Sequence, residues 1–207
     1  MRVNPQMAVK TPKSTRMAAS ERREQLLDVT KAIAAGDGFH AVSIERVARE
    51  AGITRPVIYG HFGDLDGLLE ALIDRETVRS ITQLEDVLRY DLAEGAPVET
   101  LLSSLRGYLE AVRTDPDTWR LVLMPQEGAP PALHERIAAG RAAVVAQLAK
   151  NTAPGFGPGQ ESPDPELTAH MLSAVSDQSA RLLLTDPERY PIDRLLTHAR
   201  WMLGQLQ

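Results

Sequence analysis

Cysteine is absent from all 207 residues of the chain. Its absence excludes disulfide bonds, thiolate metal sites and cysteine nucleophiles, and it fits a reducing compartment. No apolar run approaches the roughly 20 residues that a membrane-spanning helix needs. The N-terminal residues also lack the apolar stretch of a secretory signal. We therefore expect a cytoplasmic protein with no membrane partner.

The chain also lacks the alternation of apolar and polar residues that marks a half-buried β-strand. Apolar residues instead recur at spacings of three and four, which is typical of helices, and breaker-rich segments separate these runs. The pattern predicts an all-α fold. Helices are expected at about residues 20–35, 44–51, 55–62, 65–92, 98–112, 116–123, 131–148, 166–185 and 192–206. Residues 153–165, with four prolines and three glycines, are predicted to form a loop.

Charge is distributed unevenly along the chain, which carries a net charge of −5 at pH 7. Residues 1–62 contain ten Lys and Arg against six Asp and Glu, whereas residues 63–207 contain 13 against 22. The first segment is therefore net +4 and the second net −9. A basic segment on an acidic protein is what a localised phosphate-binding surface would produce, although uneven charge alone is common.

The most informative stretch is residues 43–62, where two short helices are joined by a tight turn. Ser43 is a good N-cap for the first helix, because its side-chain oxygen can accept an amide hydrogen of the opening turn. Gly52 stands where the chain reverses, a position that favours a positive φ. Ala48 leaves room for the second helix to cross closely. The predicted buried stripe of the first helix is Ile44, Val47, Ala48 and Ala51.

The second helix of this stretch separates into a buried and an exposed face. Thr54 is expected to cap it, and Pro56 lies in its first turn, where a missing amide hydrogen costs little. Ile58 and Phe62, four residues apart, turn inward. The outer face is predicted to consist of Arg55, Pro56, Val57, Tyr59 and Gly60.

The outer face has side chains that suit the major groove of DNA. Arg55 can donate two hydrogen bonds to a guanine edge, while Pro56 and Val57 can contact thymine methyl groups. Hydroxyl and imidazole groups nearby can bind phosphates, with help from the two helix N-termini. These phosphate-binding candidates are Ser43, Thr54, Tyr59 and His61, and Arg46 adds a cation.

Residues 43–64 resemble the DNA-binding signature of TetR-family transcriptional regulators, and the similarity extends over about residues 21–69. The resemblance implies a three-helix helix-turn-helix head at residues 19–64 and a helical ligand-binding and dimerisation body at residues 65–207. Two positions depart from the family pattern. Leu65 replaces a lysine that usually binds a phosphate, and Gly60 replaces a residue that is often large.

Residues 1–18 precede this head and are polar and basic, with Pro5 and Pro12. We predict a disordered arm. The sequence leaves open whether the arm contacts DNA or acts only as a solubilising tail.

The body offers candidates for a small-molecule pocket and for a dimer interface. Polar groups among apolar helix faces suit a ligand cavity, and the pocket candidates are Tyr108, Trp119, Met124, His134, Met171 and Gln178. The last two helices supply the interface candidates, which are Met171, Leu172, Val175, Leu182, Leu195, Trp201 and Leu203. The histidines lie on separate helices, so no metal site is expected, and no cofactor or catalytic residue is predicted.

The sequence thus favours a homodimeric repressor that binds a palindromic operator in double-stranded DNA and is released by a small-molecule effector. Two alternatives remain open. One is a helical small-molecule-binding enzyme or carrier with an incidental N-terminal hairpin, which would need a convergent catalytic or metal-binding group of residues. The other is a DNA-binding protein that responds to no effector, against which a cavity in the body would count.

Overall fold

A computed structural model describes residues 17–88, 97–125, 128–153 and 161–204 of the chain, and nine α-helices account for most of these residues. The helices are α1 (Ala19–Asp37), α2 (Ile44–Glu50), α3 (Arg55–Phe62), α4 (Leu65–Leu88), α5 (Pro97–Thr114), α6 (Pro116–Leu123), α7 (Pro131–Thr152), α8 (Pro165–Thr185) and α9 (Ile192–Gly204). A 3-10 turn, Phe39–Ala41, lies between α1 and α2. The described residues contain no strand, which confirms the predicted all-α fold.

The observed helix bounds lie close to the predicted ones. Residues 1–16 of the predicted arm, residues 89–96 around the predicted end of the fourth helix, and residues 154–160 of the predicted loop lie outside the described residues. Within the described ranges, no helix is long and apolar enough to cross a membrane.

Side-chain caps and prolines fix several helix starts. The Asp64 carboxylate accepts a hydrogen bond from the Gly67 amide at 2.8 Å, and Asp164 does the same for the Leu167 amide at 2.9 Å. Each carboxylate satisfies an amide that has no partner within its own helix. Proline opens α6, α7 and α8, at a position where its missing amide hydrogen is not needed.

The predicted head, residues 19–64, has its own apolar core. Leu26 and Leu27 of α1, Val47 of α2 and Ile58 of α3 are fully buried there. The first turns of α4 complete this core through Leu68 and two further buried residues, Leu72 and Ile73. The start of α4 therefore packs as part of the head, although it follows the predicted boundary at residue 64.

The body has a second core, which α5, α6, α8 and α9 share. Leu109 and Val112 of α5 lie at its centre, together with Trp119 of α6 and Leu183 of α8. α5 contacts both α8 and α9, and α7 packs along α8. Large apolar side chains on α8 and α9 remain exposed, and we call these residues the unpacked side of α8 and α9: Leu167, Met171, Val175 and Trp201.

Head and body meet at a buried polar cluster between α1, α4 and α6. The Lys31 ammonium lies 3.1 Å from Asp115 Oδ1 and 3.8 Å from Glu76 Oε2. Thr118 accepts a hydrogen bond from Lys31 and donates one to Glu76, whose exposed fraction is only 2%. Leu121 of α6 also reaches into the head core. The body therefore contacts the head through α6 as well as through α4.

Candidate nucleic-acid interface

α2 and its turn are built as the sequence predicts. The Ser43 hydroxyl oxygen accepts the Arg46 amide hydrogen at 3.2 Å, and the backbone of Ser43 is extended, as an N-cap requires. The predicted stripe is buried in full: Ile44, Val47, Ala48 and Ala51. Gly52 has a φ of +66°, which lets the chain reverse between the helices without strain.

α3 crosses this support with one buried and one exposed face. Thr54 occupies the N-cap position, but its side chain makes no capping hydrogen bond, unlike that of Ser43. Ile58 is fully buried, and Phe62 is half-buried beneath the guanidinium of Arg23, which lies 4.9 Å from the ring centre. The opposite face is exposed as predicted, and its residues are Arg55, Pro56, Val57, Tyr59 and Gly60.

Gly67 allows a close approach between α3 and α4 that was not predicted from the sequence. A Cβ on Gly67 would lie 2.2 Å from the carbonyl oxygen of Phe62, well inside any tolerated contact. Glycine is therefore required at this position so that the start of α4 can approach the end of α3. A glycine three residues after the capping Asp64 was the available signal, since glycine is uncommon in a helix interior.

Two arginines of the interface have carboxylate partners. Arg46 bonds to Glu50 at 2.8 Å and to Asp37 at the end of α1, and these two carboxylates raise its pKa. Arg55 Nη1 lies 2.9 Å from Glu45 Oε1. The pKa of the Glu45 carboxyl lies below its usual value, because the carboxylate accepts a hydrogen bond from its own backbone amide and another from Arg55.

The described residues up to the end of α3 carry no net charge. Residues 17–62 contain six Lys and Arg and six Asp and Glu. The whole +4 of residues 1–62 therefore comes from Arg2, Lys10, Lys13 and Arg16, which lie outside the described residues.

A family model for bacterial regulatory proteins of the tetR family matches residues 26–72, which contain most of α1, all of α2 and α3, and the start of α4. The chain therefore carries a DNA-binding domain of the TetR type and is a DNA-binding transcriptional regulator. The matched segment ends within the part of α4 that packs into the head core. It therefore includes the residues of the head core from Leu26 to Leu72.

Solved structures extend the TetR likeness to the body at the level of the fold. A TetR-like transcriptional regulator from Rhodococcus sp. RHA1 is 22% identical, with 92% of this chain and 97% of that chain covered at a TM-score of 0.75. Another transcriptional regulator from Rhodococcus sp. RHA1 is 19% identical, with 89% of this chain and 95% of that chain covered at a TM-score of 0.65. The protein in a SmeT–triclosan complex is 23% identical, with 89% of this chain and 90% of that chain covered at a TM-score of 0.67.

The six predicted pocket residues of the body are not gathered at one place. Tyr108 and Trp119 are buried and stack edge to face, with ring centres 5.1 Å apart. The other four have exposed side chains: Met124, His134, Met171 and Gln178. Met171 lies on the unpacked side of α8, where it coincides with the predicted dimer interface instead.

Polar groups surround the aromatic pair inside the body. Trp119 Nε1 donates to Gln83 Oε1 at 2.8 Å, and the Tyr108 hydroxyl lies 3.5 Å from Asp177 Oδ1. Burial, with the nearby Asp177 carboxylate, raises the pKa of Tyr108 well above its usual range, so the hydroxyl stays protonated. Arg141 pairs with the other oxygen of Asp177 at 2.7 Å.

A cleft between α5 and α9, about 530 Å³ in volume, is bordered by charged residues and by none of the six predicted pocket residues. Ion pairs cross it from Arg106 to Asp193 and from Arg200 to Glu99. Because its charged side chains are already paired with one another, we assign no ligand to it.

Proposed function

We propose that this regulator is a homodimeric repressor whose two α3 helices enter successive major grooves of a palindromic operator. The observation that carries the proposal is the exposed face of α3, where Arg55, Val57 and Tyr59 project from a helix anchored by the buried Ile58. Half-sites would lie one helical turn apart, about 34–36 Å. A regulator that acts on the chromosome would work in the cytoplasm, and we expect no enzymatic activity.

Base contacts are assigned to the first turn of α3. Arg55 would donate two hydrogen bonds to a guanine, and Pro56 and Val57 would contact thymine methyl groups. All three residues are exposed, so they can reach base edges without any movement of the helix. Gly60 adds space on the same face, since a Cβ placed there meets nothing within 4 Å.

Phosphate contacts are assigned to Ser43, Thr54, Tyr59 and His61. Ser43 uses its oxygen as an acceptor in the N-cap and keeps its hydroxyl hydrogen for a phosphate. The Thr54 hydroxyl makes no capping bond and is equally available. Arg46 remains a proposed contact, but Asp37 and Glu50 already offset its charge. The four cations of residues 1–16 would then supply much of the attraction to the backbone.

Dimerisation is assigned to the unpacked side of α8 and α9. Leu167, Met171 and Val175 recur every four residues along α8 and are exposed, Met171 by 63%. Trp201 of α9 is 62% exposed and its ring stacks on that of His198. Large apolar side chains gathered on one face mark an interaction surface. A second copy would cover them in a four-helix contact. Among the predicted interface residues, Leu203 is instead buried in the body core.

Effector binding is assigned to the body beside Tyr108 and Trp119. These aromatic rings lie next to polar atoms of Gln83 and Asp177, the mixture typical of small-molecule sites. SmeT, which has this fold, forms a complex with triclosan. An apolar or aromatic effector would therefore suit the site. Its binding would alter the polar cluster of α1, α4 and α6 only if it favours one arrangement of these helices over another.

Footprinting on DNA upstream of the regulator's own gene tests the recognition face. Protection is expected for the unchanged chain and should be lost for Arg55→Ala and Tyr59→Ala, while Arg113→Ala on α5, equally charged and exposed, should bind as before. Protection should weaken as salt rises, because phosphate contacts release counterions. Equal protection by Arg55→Ala and Arg113→Ala would contradict the assignment.

Analytical ultracentrifugation tests the dimer. The double variant Met171→Glu/Trp201→Ala places a charge in the proposed contact and removes a large apolar side chain from it, so it should give monomers. Val78→Glu is the control, because it changes an equally exposed apolar residue on α4, and it should leave the dimer intact. A monomeric unchanged chain would contradict the proposal.

A further inference from the structure

We infer that Glu45 is a positioning residue for Arg55, and that it thereby sets the base preference of the recognition helix. This inference rests on the recognition face proposed above. Glu45 is the second residue of α2 and Arg55 the first residue of α3. The 2.9 Å contact between their side chains therefore links the two helices on the face that is proposed to meet DNA.

The pair is unsuited to a role in stability. The side chains of Arg55 and Glu45 are 60% and 63% exposed. Exposed ion pairs contribute little to folding, because water screens the charges and holding two long side chains in one geometry costs conformational entropy. We therefore expect the contact to matter where water is displaced from it. On this face of the head, that happens in the complex with DNA.

The geometry leaves Arg55 equipped to bind a guanine. A guanidinium carries five hydrogen-bond donors in a rigid planar fork, and Glu45 occupies only the Nη1 group. The remaining donors can satisfy the two acceptors of a guanine edge. Expulsion of water from the groove would strengthen the attraction between carboxylate and guanidinium and hold the fork in one orientation.

The carboxylate also acts against unselective binding. Glu45 lies in the first turn of α2, where phosphates are expected to approach, and its negative charge repels them. Pairing offsets the charge of Arg55, so Arg55 gains little from an arbitrary phosphate and more from a guanine that matches its fork. Specificity of this kind combines an attractive contact with a repulsive one.

Arg46 provides the contrast within the same head. Its two carboxylate partners are Asp37, at the end of α1, and Glu50, on α2 itself. The side chain is only 26% exposed, so these two carboxylates leave less of the Arg46 guanidinium accessible than Glu45 leaves of Arg55. The Arg55–Glu45 pair, by comparison, remains open to solvent on both side chains.

Selection from a random duplex library with the full chain tests the inference, followed by titration of the selected duplex and of poly(dI-dC). The variants are Glu45→Gln, Glu45→Ala, Arg55→Ala and the double variant Glu45→Ala/Arg55→Ala. Asp66→Asn is the matched control, since it removes one exposed carboxylate from the first turn of α4. Thermal unfolding verifies that every variant is folded.

Arg55→Ala should erase the base preference at one symmetric pair of operator positions. Glu45→Ala should weaken the preference at those same positions and lower the ratio of selected to poly(dI-dC) affinity about tenfold, with Glu45→Gln in between because it keeps an acceptor oxygen. The double variant should lose no more preference than Arg55→Ala alone. Asp66→Asn should retain the full profile.

The two possible failures are distinguishable. If Arg55→Ala erases a preference while both Glu45 variants keep the complete profile, the role of Glu45 is wrong and the recognition face stands. If Arg55→Ala keeps the complete profile, the recognition face is wrong and the role of Glu45 falls with it. A loss of preference in the Glu45 variants at positions other than those of Arg55 would also overturn the inference.

Discussion

Exposed side chains differ in kind between α3 in the head and α8 and α9 in the body. The face of α3 combines one cation, one hydroxyl and small apolar groups around Arg55 and Tyr59. The face of α8 and α9 presents large apolar groups, with Met171 and Trp201 the most exposed. The first composition matches base edges and phosphates, and the second matches another apolar protein surface. One chain thus carries two surfaces suited to two different kinds of partner.

The two regions also differ in how their cores are assembled, yet a shared polar cluster joins them. The head core is built mainly from the consecutive helices α1 to α4, with Leu121 of α6 and Leu133 of α7 added, whereas the body core joins α5 and α6 to the distant α8 and α9. Lys31 of the head bonds to Asp115 of the body, and its ammonium also lies 3.8 Å from Glu76 of α4. We therefore expect the head and the body to unfold together despite their separate cores.

The largest effect is expected from truncation of either core. Ile58→Ala in the head and Leu109→Ala in the body each remove a fully buried side chain and should lower the free energy of unfolding by about 2–5 kcal/mol. Calorimetry should show a single transition shifted downward in both cases, and Val78→Ala, which shortens an exposed side chain, should scarcely shift it. Separate transitions for head and body would show that the two regions unfold independently.

The next largest effect is expected at the link itself. Lys31→Met leaves the buried Glu76 and Asp115 without this cation and should lower the free energy of unfolding by about 3 kcal/mol, the typical result of breaking a buried ion pair. Urea unfolding measures the change, with the exposed Lys150→Met as the matched control. A loss no greater than that of Lys150→Met would show that the cluster does not join the two regions.

The same cluster should give stability a dependence on pH. Burial opposes ionisation of Asp115, but the hydrogen bond from Lys31 and the positive charges of Lys31 and Arg79 outweigh it and hold the pKa of Asp115 below its usual 3.8. A carboxyl with a lowered folded-state pKa stabilises the protein above its unfolded-state pKa, and this contribution is lost as the pH falls through the folded value.

Asp115→Asn should therefore destabilise the protein most near neutral pH, and the difference from the unchanged chain should shrink below about pH 4. Urea midpoints measured from neutral pH downward would reveal this convergence. The exposed Asp66→Asn serves as the control and should differ little from the unchanged chain throughout. A constant gap between Asp115→Asn and the unchanged chain would contradict the assigned role.

The smallest effect is expected at Gly60 and would sharpen the contrast between stability and recognition. Gly60→Ala fills open space on the outer face of α3 and should stabilise the head by about 0.5–1 kcal/mol, because alanine favours a helix over glycine. The same change should weaken operator binding if DNA approaches the backbone there. Thermal unfolding and titration with the selected duplex measure the two effects. A variant that binds as tightly as before would remove Gly60 from the interface.

The helix-turn-helix was predictable because its determinants are close together in sequence. Ser43 caps α2, Gly52 takes a positive φ and Ile58 turns inward, each as its local pattern indicates. Thr54 shows the limit of this reasoning. It has the same side-chain chemistry as Ser43 and the same position before a helix, but its hydroxyl makes no capping bond, a difference that depends on the geometry of the turn.

The type of a residue did not indicate which side chains it would contact when those side chains are distant in the sequence. The sequence did not reveal the carboxylate partners of the two arginines: Arg46 is held by two carboxylates and Arg55 by one on the neighbouring helix. The pocket candidates in the body show the same problem. Tyr108 and Trp119 meet in the core, whereas His134 and Met171 lie on the surface, because helix packing decides which face of each helix is covered.

Local sequence was enough to predict the helical fold, the tight turn at Gly52 and the exposed face that begins at Arg55, since helical periodicity, capping and glycine conformation act over a few residues. Three other features became visible only once the helices were packed: Glu45 bonds to Arg55, Lys31 links the head to Asp115, and Met171 lies outside the core. These outcomes depend on how separate helices pack against one another, and the local sequence pattern does not encode which side chains will then be neighbours.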